Sequence, residues 1–188
     1  MRVIRADDYR RMRWKNGLGE TAEVAIAPPR ATLEAFEWRI SLARVEADGP
    51  FSGFPGIDRT LTVVAGGGFR LVVDGGTPVD LTRSSAPFVF RGESAVQSML
   101  LAGPITDLNV MTRRARFHHR VRRIQVAAHT VIETAATAAA LFCVSGRIEV
   151  ATAAAASELG AQDTVLIDDA LPEVAGEGEL LLIEIERN

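Results

Sequence analysis

The sequence predicts an all-β protein of two similar halves, each folded as a small antiparallel barrel or jelly roll. Short runs rich in β-branched residues recur about every ten residues, with Gly, Pro and Asp between them, as is typical of a sandwich or barrel. The same order of runs occurs twice in the chain. Helical signals are thin, because the Ala-rich stretch 134–140 is shorter than an isolated helix needs.

The predicted core strands are short, apolar and bounded by turn residues. In chain order they are Glu37–Val45, Arg59–Ala65, Phe69–Val73, Pro87–Phe90, Val96–Leu101, Ala140–Val144, Arg147–Val150, Thr164–Ile167 and Glu179–Ile185. In each half a strand, a glycine turn, a second strand, a tight loop and two more strands follow in the same order. The repeat therefore predicts an N-terminal half, residues 1–115, and a C-terminal half, residues 116–188, within one compact unit.

The composition is that of an ordinary globular protein, with 47% hydrophobic and 24% charged residues. No apolar run reaches the roughly 20 residues that a membrane-spanning helix needs, and the N terminus lacks the apolar segment of a signal peptide. We therefore expect a cytoplasmic protein without a membrane partner. The net charge of −3 argues against nucleic acid as a partner. Cys143 lies in an apolar run and is expected to be a buried, inert thiol.

Six arginines fall within residues 113–123, between the predicted halves. A charge run of this kind is usually the solvated face of a linker, and the alternative is a strip that binds an anion or a protein partner. The histidines argue against a metal. His118 and His119 are adjacent and would point to opposite faces of a strand, and His129 stands apart. We therefore expect no metal and no cofactor.

The first of three candidate motifs is Trp14-Lys-Asn-Gly-Leu-Gly-Glu-Thr21, followed closely by Glu23. Its Asn-Gly pair is typical of a hairpin turn, with a strand after it. Lys15 is the only lysine of the chain, and Asn16 and Asn109 are two of its three asparagines. Because an ammonium and a guanidinium are not interchangeable, the choice of lysine indicates a specific role for this motif.

The second motif, Trp38-Arg-Ile-Ser41, leads to a loop, Gly49-Pro-Phe-Ser-Gly-Phe-Pro-Gly56, that ends in Asp58 and Arg59; the third is Asp107-Leu-Asn-Val-Met111. The loop is expected to plug the barrel mouth with its two phenylalanines.

Arg39 and Ser41 share one strand face in the second motif. An inward-facing arginine needs a carboxylate partner or an anionic ligand. The available carboxylates are those of Glu23, Asp58 and Asp107. An internal salt-bridge network and a ligand site are both consistent with this pattern.

In this order, the three motifs closely resemble those of the HutD/Ves family, and the resemblance extends from about Ile4 to Glu186. It implies a cupin-like jelly roll of two fused barrel halves, that is, a bicupin-like fold. HutD members are associated with histidine utilisation, which implies a regulatory or ligand-sensing role, and Ves members are linked to stress responses. This sequence has Leu18 where the family usually has the second glycine of Lys-Asn-Gly-Gly-Gly.

Carried over motif by motif, the resemblance implies a ligand pocket lined by Lys15, Asn16, Thr21, Glu23, Arg39, Ser41, Phe51, Ser52, Asp58, Asp107 and Asn109. The expected ligand is a small polar metabolite with a carboxylate, and Lys15 is predicted to anchor that carboxylate with Arg39 as a second cation. A homodimer is an open expectation.

Two functions compete: binding or sensing of this metabolite, with a regulatory role in histidine utilisation, and a metal-free enzyme that uses Lys15, Glu23 or Asp58 as acid or base. We favour binding, because no pair of groups has a context typical of an acid and a base. A protein-interaction module based on the arginine strip is a third, less favoured hypothesis.

Overall fold

A computed structural model describes residues 1–14, 17–153, 155–167 and 172–188. Within these ranges the chain forms seventeen strands and one 3-10 turn, Ala6–Asp8, so the all-β prediction is confirmed. The strands are β1 (Arg2–Ile4), β2 (Arg10–Arg13), β3 (Gly19–Ala27), β4 (Trp38–Val45), β5 (Gly49–Pro50), β6 (Ile57–Ala65), β7 (Phe69–Val73), β8 (Val79–Leu81), β9 (Phe88–Arg91), β10 (Val96–Leu100), β11 (Ile105–Arg113), β12 (Phe117–Val126), β13 (Thr130–Val131), β14 (Ala138–Thr152), β15 (Ala155–Leu159), β16 (Thr164–Ile167) and β17 (Glu173–Arg187). Among the described residues, no helix has the length and apolar character needed to cross a membrane.

The chain divides into two compact units. The first unit is Arg10–His118, and the second unit is Met1–Tyr9 together with His119–Asn188. In the described part of the first unit, a six-stranded sheet has the order β2-β3-β4-β11-β6-β9, and a four-stranded sheet has the order β5-β10-β7-β8. Apolar side chains from both sheets meet in one core, which includes Leu61 and Ile105 from the larger sheet and Phe69 and Leu71 from the smaller.

The described strands of the second unit form one sheet, ordered β1-β16-β14-β17-β12, with β13 on β17 and β15 on β14. The first nine residues join this unit because β1 pairs with β16 and Tyr9 is buried, with its hydroxyl 2.7 Å from Thr164 Oγ1. Arg5 also forms an ion pair with Asp163 at 2.8 Å. Cys143 lies in the core of this unit, as predicted, and burial raises the pKa of its thiol to about 11.

Both units repeat one pattern of strand pairing, as the internal repeat predicts. In the first unit β6 pairs with β9 and β11, whereas β7 pairs with β8 and β10. In the second unit, residues 139–142 of β14 pair with β16 and with the end of β17. Residues 148–151 of β14 pair with β15 and with the beginning of β17. A glycine turn at 66–68 separates β6 from β7, whereas β14 continues as one strand through a bulge between Cys143 and Ser145. The second unit is therefore a single sheet.

Near this bulge, β14 contains a glycine that the neighbouring strand approaches closely, and this leads to a stability prediction. Gly146 has a φ of +90°, and a β-carbon there would overlap the Glu177 carbonyl oxygen of the neighbouring strand. We expect Gly146→Ala to lower the free energy of unfolding by about 3 kcal/mol or more. Gly75→Ala is the matched control, because Gly75 has a φ of +68° but open space around it, so it should cost only about 1 kcal/mol. Urea unfolding of both variants measures this, and equal losses would show that close approach plays no part.

The arginine strip is not a solvated linker. β11 ends at Arg113 and β12 begins at Phe117, so most of the strip lies in strands or in the short turn between them. Side-chain carboxylates neutralise several of its members, in the pairs Arg114 with Asp58 and Glu93, Arg116 with Glu37, Arg122 with Glu184, and Arg123 with Glu179. This pairing removes the main support for a basic surface that binds a partner.

Candidate functional site

A buried layer of polar side chains lies on the inner face of the six-stranded sheet. Along β11, Asp107 and Asn109 alternate with outward residues and so share the face of Ile105, which packs in the core between the sheets. On β6 the same alternation places Arg59 on the face of the core residue Leu61. We call the set the polar layer; it consists of Glu23, Arg39, Ser41, Arg59, Asp107 and Asn109.

Strand register brings these residues together. Asn109 of β11 pairs with Ser41 of β4, and Ser41 pairs on its other side with Glu23 of β3. Met111, two residues beyond Asn109, pairs with both Arg39 and Arg59. The layer therefore crosses four adjacent strands of the described sheet.

Apolar side chains border the polar layer on both sides. One cluster, which includes Leu61, Val63 and Ile105, packs against the four-stranded sheet, and a second is formed by Phe36, Ile57 and Met111. Charges within the layer therefore lie in a medium of low polarity, where an unpaired charge is costly and an electrostatic contact is strong.

Arg39 has an internal partner. Its side chain is 5% exposed, and its Nε donates to Glu23 Oε2 at 3.0 Å. Its Nη1 also lies 3.4 Å from Ser41 Oγ. Glu23 additionally pairs with the exposed Arg10 at 3.2 Å. The sequence left two alternatives open for an inward arginine, a salt-bridge network and a ligand site. Arg39 belongs to a salt-bridge network.

Arg59 has no such partner. It is 5% exposed, and no carboxylate of the described residues forms an ion pair with it within 4.0 Å. Instead, its guanidinium lies over the rings of Phe51, Phe54 and Phe90, at 5.4, 5.5 and 4.8 Å from the ring centroids. Phe51 and Phe54 come from the loop that was predicted to plug the barrel. This loop therefore covers a buried cation.

The hydrogen bonds of Arg59 to described residues leave one donor unused. Nη2 donates to Asn109 Oδ1 at 2.7 Å and Nη1 to the Ser52 carbonyl at 3.3 Å, whereas Nε has no partner among the described residues. Burial lowers the pKa of Arg59 to about 10; the nearby charge of Asp107 opposes this shift and that of Arg39 adds to it. The guanidinium is still protonated at neutral pH.

Asp107 is the second incompletely bonded member of the layer. It is 1% exposed; its Oδ1 accepts a hydrogen bond from Asn109 Nδ2, and its Oδ2 has no hydrogen-bond partner in the described part of the chain. Burial raises the pKa of this carboxyl to about 7, although the charge of Arg59 acts in the opposite direction. Asn109 thus links two groups that each have hydrogen-bonding capacity to spare. The oxygens of an anion can accept a hydrogen bond from Arg59 Nε, and from Oδ2 of Asp107 when that carboxyl is protonated.

Most of the residues predicted to line the site lie in or beside this layer. Glu23, Arg39, Ser41, Asp107 and Asn109 belong to it. Phe51 and Ser52 contact Arg59 from the loop, through a ring and a carbonyl respectively. Thr21 is on β3, two residues before Glu23, and its hydroxyl accepts a hydrogen bond from Trp14 Nε1 at 2.8 Å.

Asp58 is not brought to the layer. It alternates with Arg59 on β6 and instead forms an ion pair with Arg114 at 2.7 Å. Lys15 and Asn16 lie outside the described residues, so their predicted roles stay predictions. The two strands that flank the predicted hairpin turn are present, because β2 pairs with β3. In the described parts of the chain, no three His, Cys, Asp or Glu residues are grouped so that they could hold a metal ion.

Arg59 was not among the residues predicted to line the site. It was predicted to begin a core strand, and a signal for its direction was present, because Leu61 and Val63 are apolar and alternate with threonine and valine along β6. Extending that alternation backwards points Arg59 inward. Phe90, on the edge strand β9, was missed because only the pairing of β9 with β6 brings it to Arg59.

An open groove of about 320 Å³ lies elsewhere on the first unit and is lined by Asp48, Arg70, Gln97 and Met99, among others. Its Arg70 is already paired with Asp80 at 2.6 Å, and both side chains are nearly half exposed. The groove contains none of the buried, unpaired polar atoms that distinguish the polar layer. On chemical grounds we therefore place the candidate site at the layer.

Comparison with known proteins shows the family of this chain. The family model described as HutD matches residues 6–182. An uncharacterized 21.2 kDa protein in the hutC 3′ region of Pseudomonas putida is 36% identical over 194 residues, which cover 98% of this chain and 97% of the relative. Protein Ves of Citrobacter koseri is 38% identical over 135 residues, covering 71% of this chain and 67% of the relative.

Solved structures show the same family relationship. The structure of HutD from Pseudomonas fluorescens SBW25 (formate condition) superposes on this chain with a TM-score of 0.87 at 34% identity. The superposition covers 100% of this chain and 98% of the HutD chain. Salicylate 1,2-dioxygenase from Pseudoaminobacter salicylatoxidans superposes with a TM-score of 0.58 at 9% identity, over 79% of this chain and 71% of its own. The second likeness concerns the fold alone, and it shows that the fold is cupin-like.

Proposed function

The chain belongs to the HutD family, and we propose that it binds a small carboxylate metabolite in the polar layer as a binding or sensing protein. The observation that carries this proposal is Arg59, a buried cation without a carboxylate partner among the described residues. Burying an unpaired charge costs several kcal/mol, so a chain that keeps one gains something other than stability from it. A bound carboxylate would supply the missing countercharge.

The surroundings of Arg59 suit a carboxylate. A guanidinium offers several fixed donors that match the two oxygens of a carboxylate, and here no described residue accepts a hydrogen bond from Nε. The rings of Phe51, Phe54 and Phe90 flank the guanidinium and keep water away, which strengthens a charge-assisted contact. The side chain of Asn109 is placed to hydrogen-bond a polar part of the same ligand.

We place this role in histidine utilisation and in the cytoplasm, and we propose that it is regulatory. The family association supports the pathway, since one relative is described by its position in a hutC region and a solved relative is a HutD protein. Urocanate, formiminoglutamate and formylglutamate, three intermediates of histidine breakdown, all carry carboxylates at neutral pH and are therefore the first ligands to test.

One observation favours a second function, a metal-free enzyme that acts on a small carboxylate. Burial places the pKa of Asp107 near 7, which is the range in which a general acid or base works best at neutral pH. The acids and bases that the sequence suggested are less suitable, because Glu23 is held by Arg39 and Asp58 by Arg114. Absorbance assays for consumption of the three acids test this alternative, which requires turnover by wild type that is lost in Asp107→Asn.

The experiment that tests the proposed function is calorimetric titration of each of the three acids into the wild-type protein. We expect saturable binding of at least one acid, with one site per chain. Asp58→Asn is a control for site placement, because Asp58 lies on the opposite face of β6 and its loss should leave the affinity unchanged. Failure of all three acids to bind would refute the proposal as stated.

A further inference from the structure

The carboxyl of Asp107 is not needed to hold the sheet together, which raises the question of its role. It lies on β11 between Ile105 and Asn109, and its backbone pairs with Ala43 of β4 and Val63 of β6. Its side chain is buried, and within the described ranges it bonds only to the Asn109 amide and leaves Oδ2 unpartnered. An apolar residue of similar size would avoid this cost, so the carboxyl itself is the feature to explain.

Three charged side chains of the described residues face Asp107 within the layer: Arg59 on β6, Arg39 on β4 and Glu23 on β3. The charge of Arg39 is already taken by Glu23. The opposite sheet contributes apolar residues of β7 and β10 and the neutral Ser98. Burial therefore raises the pKa of Asp107, and Arg59, which has no ion-pair partner among the described residues, is the charge that opposes this shift.

Arg59 can be compensated by an ionised Asp107 or by an incoming anion, but both at once would leave an excess negative charge in a dry layer. We propose that the polar layer takes up its anion together with one proton, which moves from solvent to Oδ2 of Asp107. The protonated oxygen then becomes a donor that the anion can use. This inference rests on the proposed function and adds to it that ligand occupancy senses pH.

The consequence is a specific dependence of affinity on pH. In the free protein the pKa of Asp107, raised by burial to about 7, leaves the carboxyl partly ionised at neutral pH. Above that value each anion must bring a proton, so the affinity should fall by up to about tenfold per pH unit. Asp107→Asn keeps a neutral side chain of the same shape, so its affinity should be almost constant between about pH 6 and 9 and should exceed that of wild type at the alkaline end.

Calorimetry counts the protons directly. Whichever of the three acids binds is titrated at pH 8 in HEPES and in Tris, two buffers with different ionisation enthalpies, and the difference in heat gives the protons taken up per anion. We expect wild type to take up about one proton more than Asp107→Asn. The subtraction cancels any proton that the ligand itself exchanges. Asp58→Asn should match wild type, because Asp58 lies outside the layer.

Each outcome is decisive. Binding with equal proton counts in wild type and Asp107→Asn would overturn this inference and leave the proposed function intact. Failure of all three acids to bind would remove the proposed function and this inference with it. If Asp107→Asn does not fold, the wild-type affinity between pH 6 and 9 decides the question alone, since an affinity that does not fall in step with proton uptake contradicts the coupling.

Discussion

Arg59→Met is expected to weaken carboxylate binding by roughly one to two orders of magnitude, because it removes a charge-assisted contact worth about 1.5 to 3 kcal/mol. The guanidinium is the one buried cation of the polar layer that lacks a carboxylate partner among the described residues. Methionine keeps a flexible stem that can pack among the same phenylalanine rings, so the substitution removes charge more than volume.

The same variant should fold at least as stably as wild type. An unpaired buried charge destabilises the folded state, and replacing it with an apolar side chain removes that penalty. The loss of the hydrogen bond to Asn109 offsets part of the gain, at about 1 kcal/mol. We therefore expect a melting temperature within a few degrees of wild type or above it. Reduced binding with retained stability would be the pattern of a residue kept for function.

Calorimetric titration beside thermal melts measures both effects. Arg70→Met is the matched control, since it also removes one positive charge but from the exposed pair with Asp80. It should bind like wild type. If Arg59→Met binds the acid as tightly as wild type does, Arg59 is not the anchor. Lys15→Met tests the anchor that the sequence predicted, and greater loss of binding in that variant would favour Lys15.

Asp107→Asn is expected to stabilise the protein at neutral and alkaline pH. Burial raises the pKa of Asp107 from its ordinary 3.8 to about 7. Between these two values the folded state holds a proton that the unfolded state has released, so the stability of wild type falls as the pH rises from about 4 to 7 and then levels off. The full shift corresponds to a penalty on the order of 4 kcal/mol above pH 7.

The measurement is urea unfolding of wild type and Asp107→Asn at intervals from pH 4 to pH 8. The difference in unfolding free energy between the two proteins should grow in favour of the variant up to about pH 7 and then remain constant. Taking the difference cancels the other titrating groups, which both proteins share. A difference that is flat with pH would show that Asp107 is ionised in the folded state as readily as in the unfolded chain.

The fold was largely predictable because strands and turns leave local signals. Apolar alternation and glycine turns located the core strands, and the internal repeat anticipated the pairing pattern that both units share. The continuity of β14 was not predictable, since Gly146 reads as a turn residue and only its close approach to Glu177 shows that the strand continues through a bulge. The placement of residues 1–9 with the second unit likewise depends on the pairing of β1 with β16.

At the site, the family and the motifs were predictable from the sequence, and so was the inward face of β4 that carries Arg39 and Ser41, because two-residue alternation is a local property. Which arginine is neutralised depends instead on contacts between strands. Glu23 and Arg39 meet through the pairing of β3 with β4, whereas Arg59 is enclosed by Phe51, Phe54 and Phe90 and forms no ion pair with a carboxylate of the described residues. Charge compensation depends on distances of a few ångströms between strands far apart in the chain, and no local pattern records those distances.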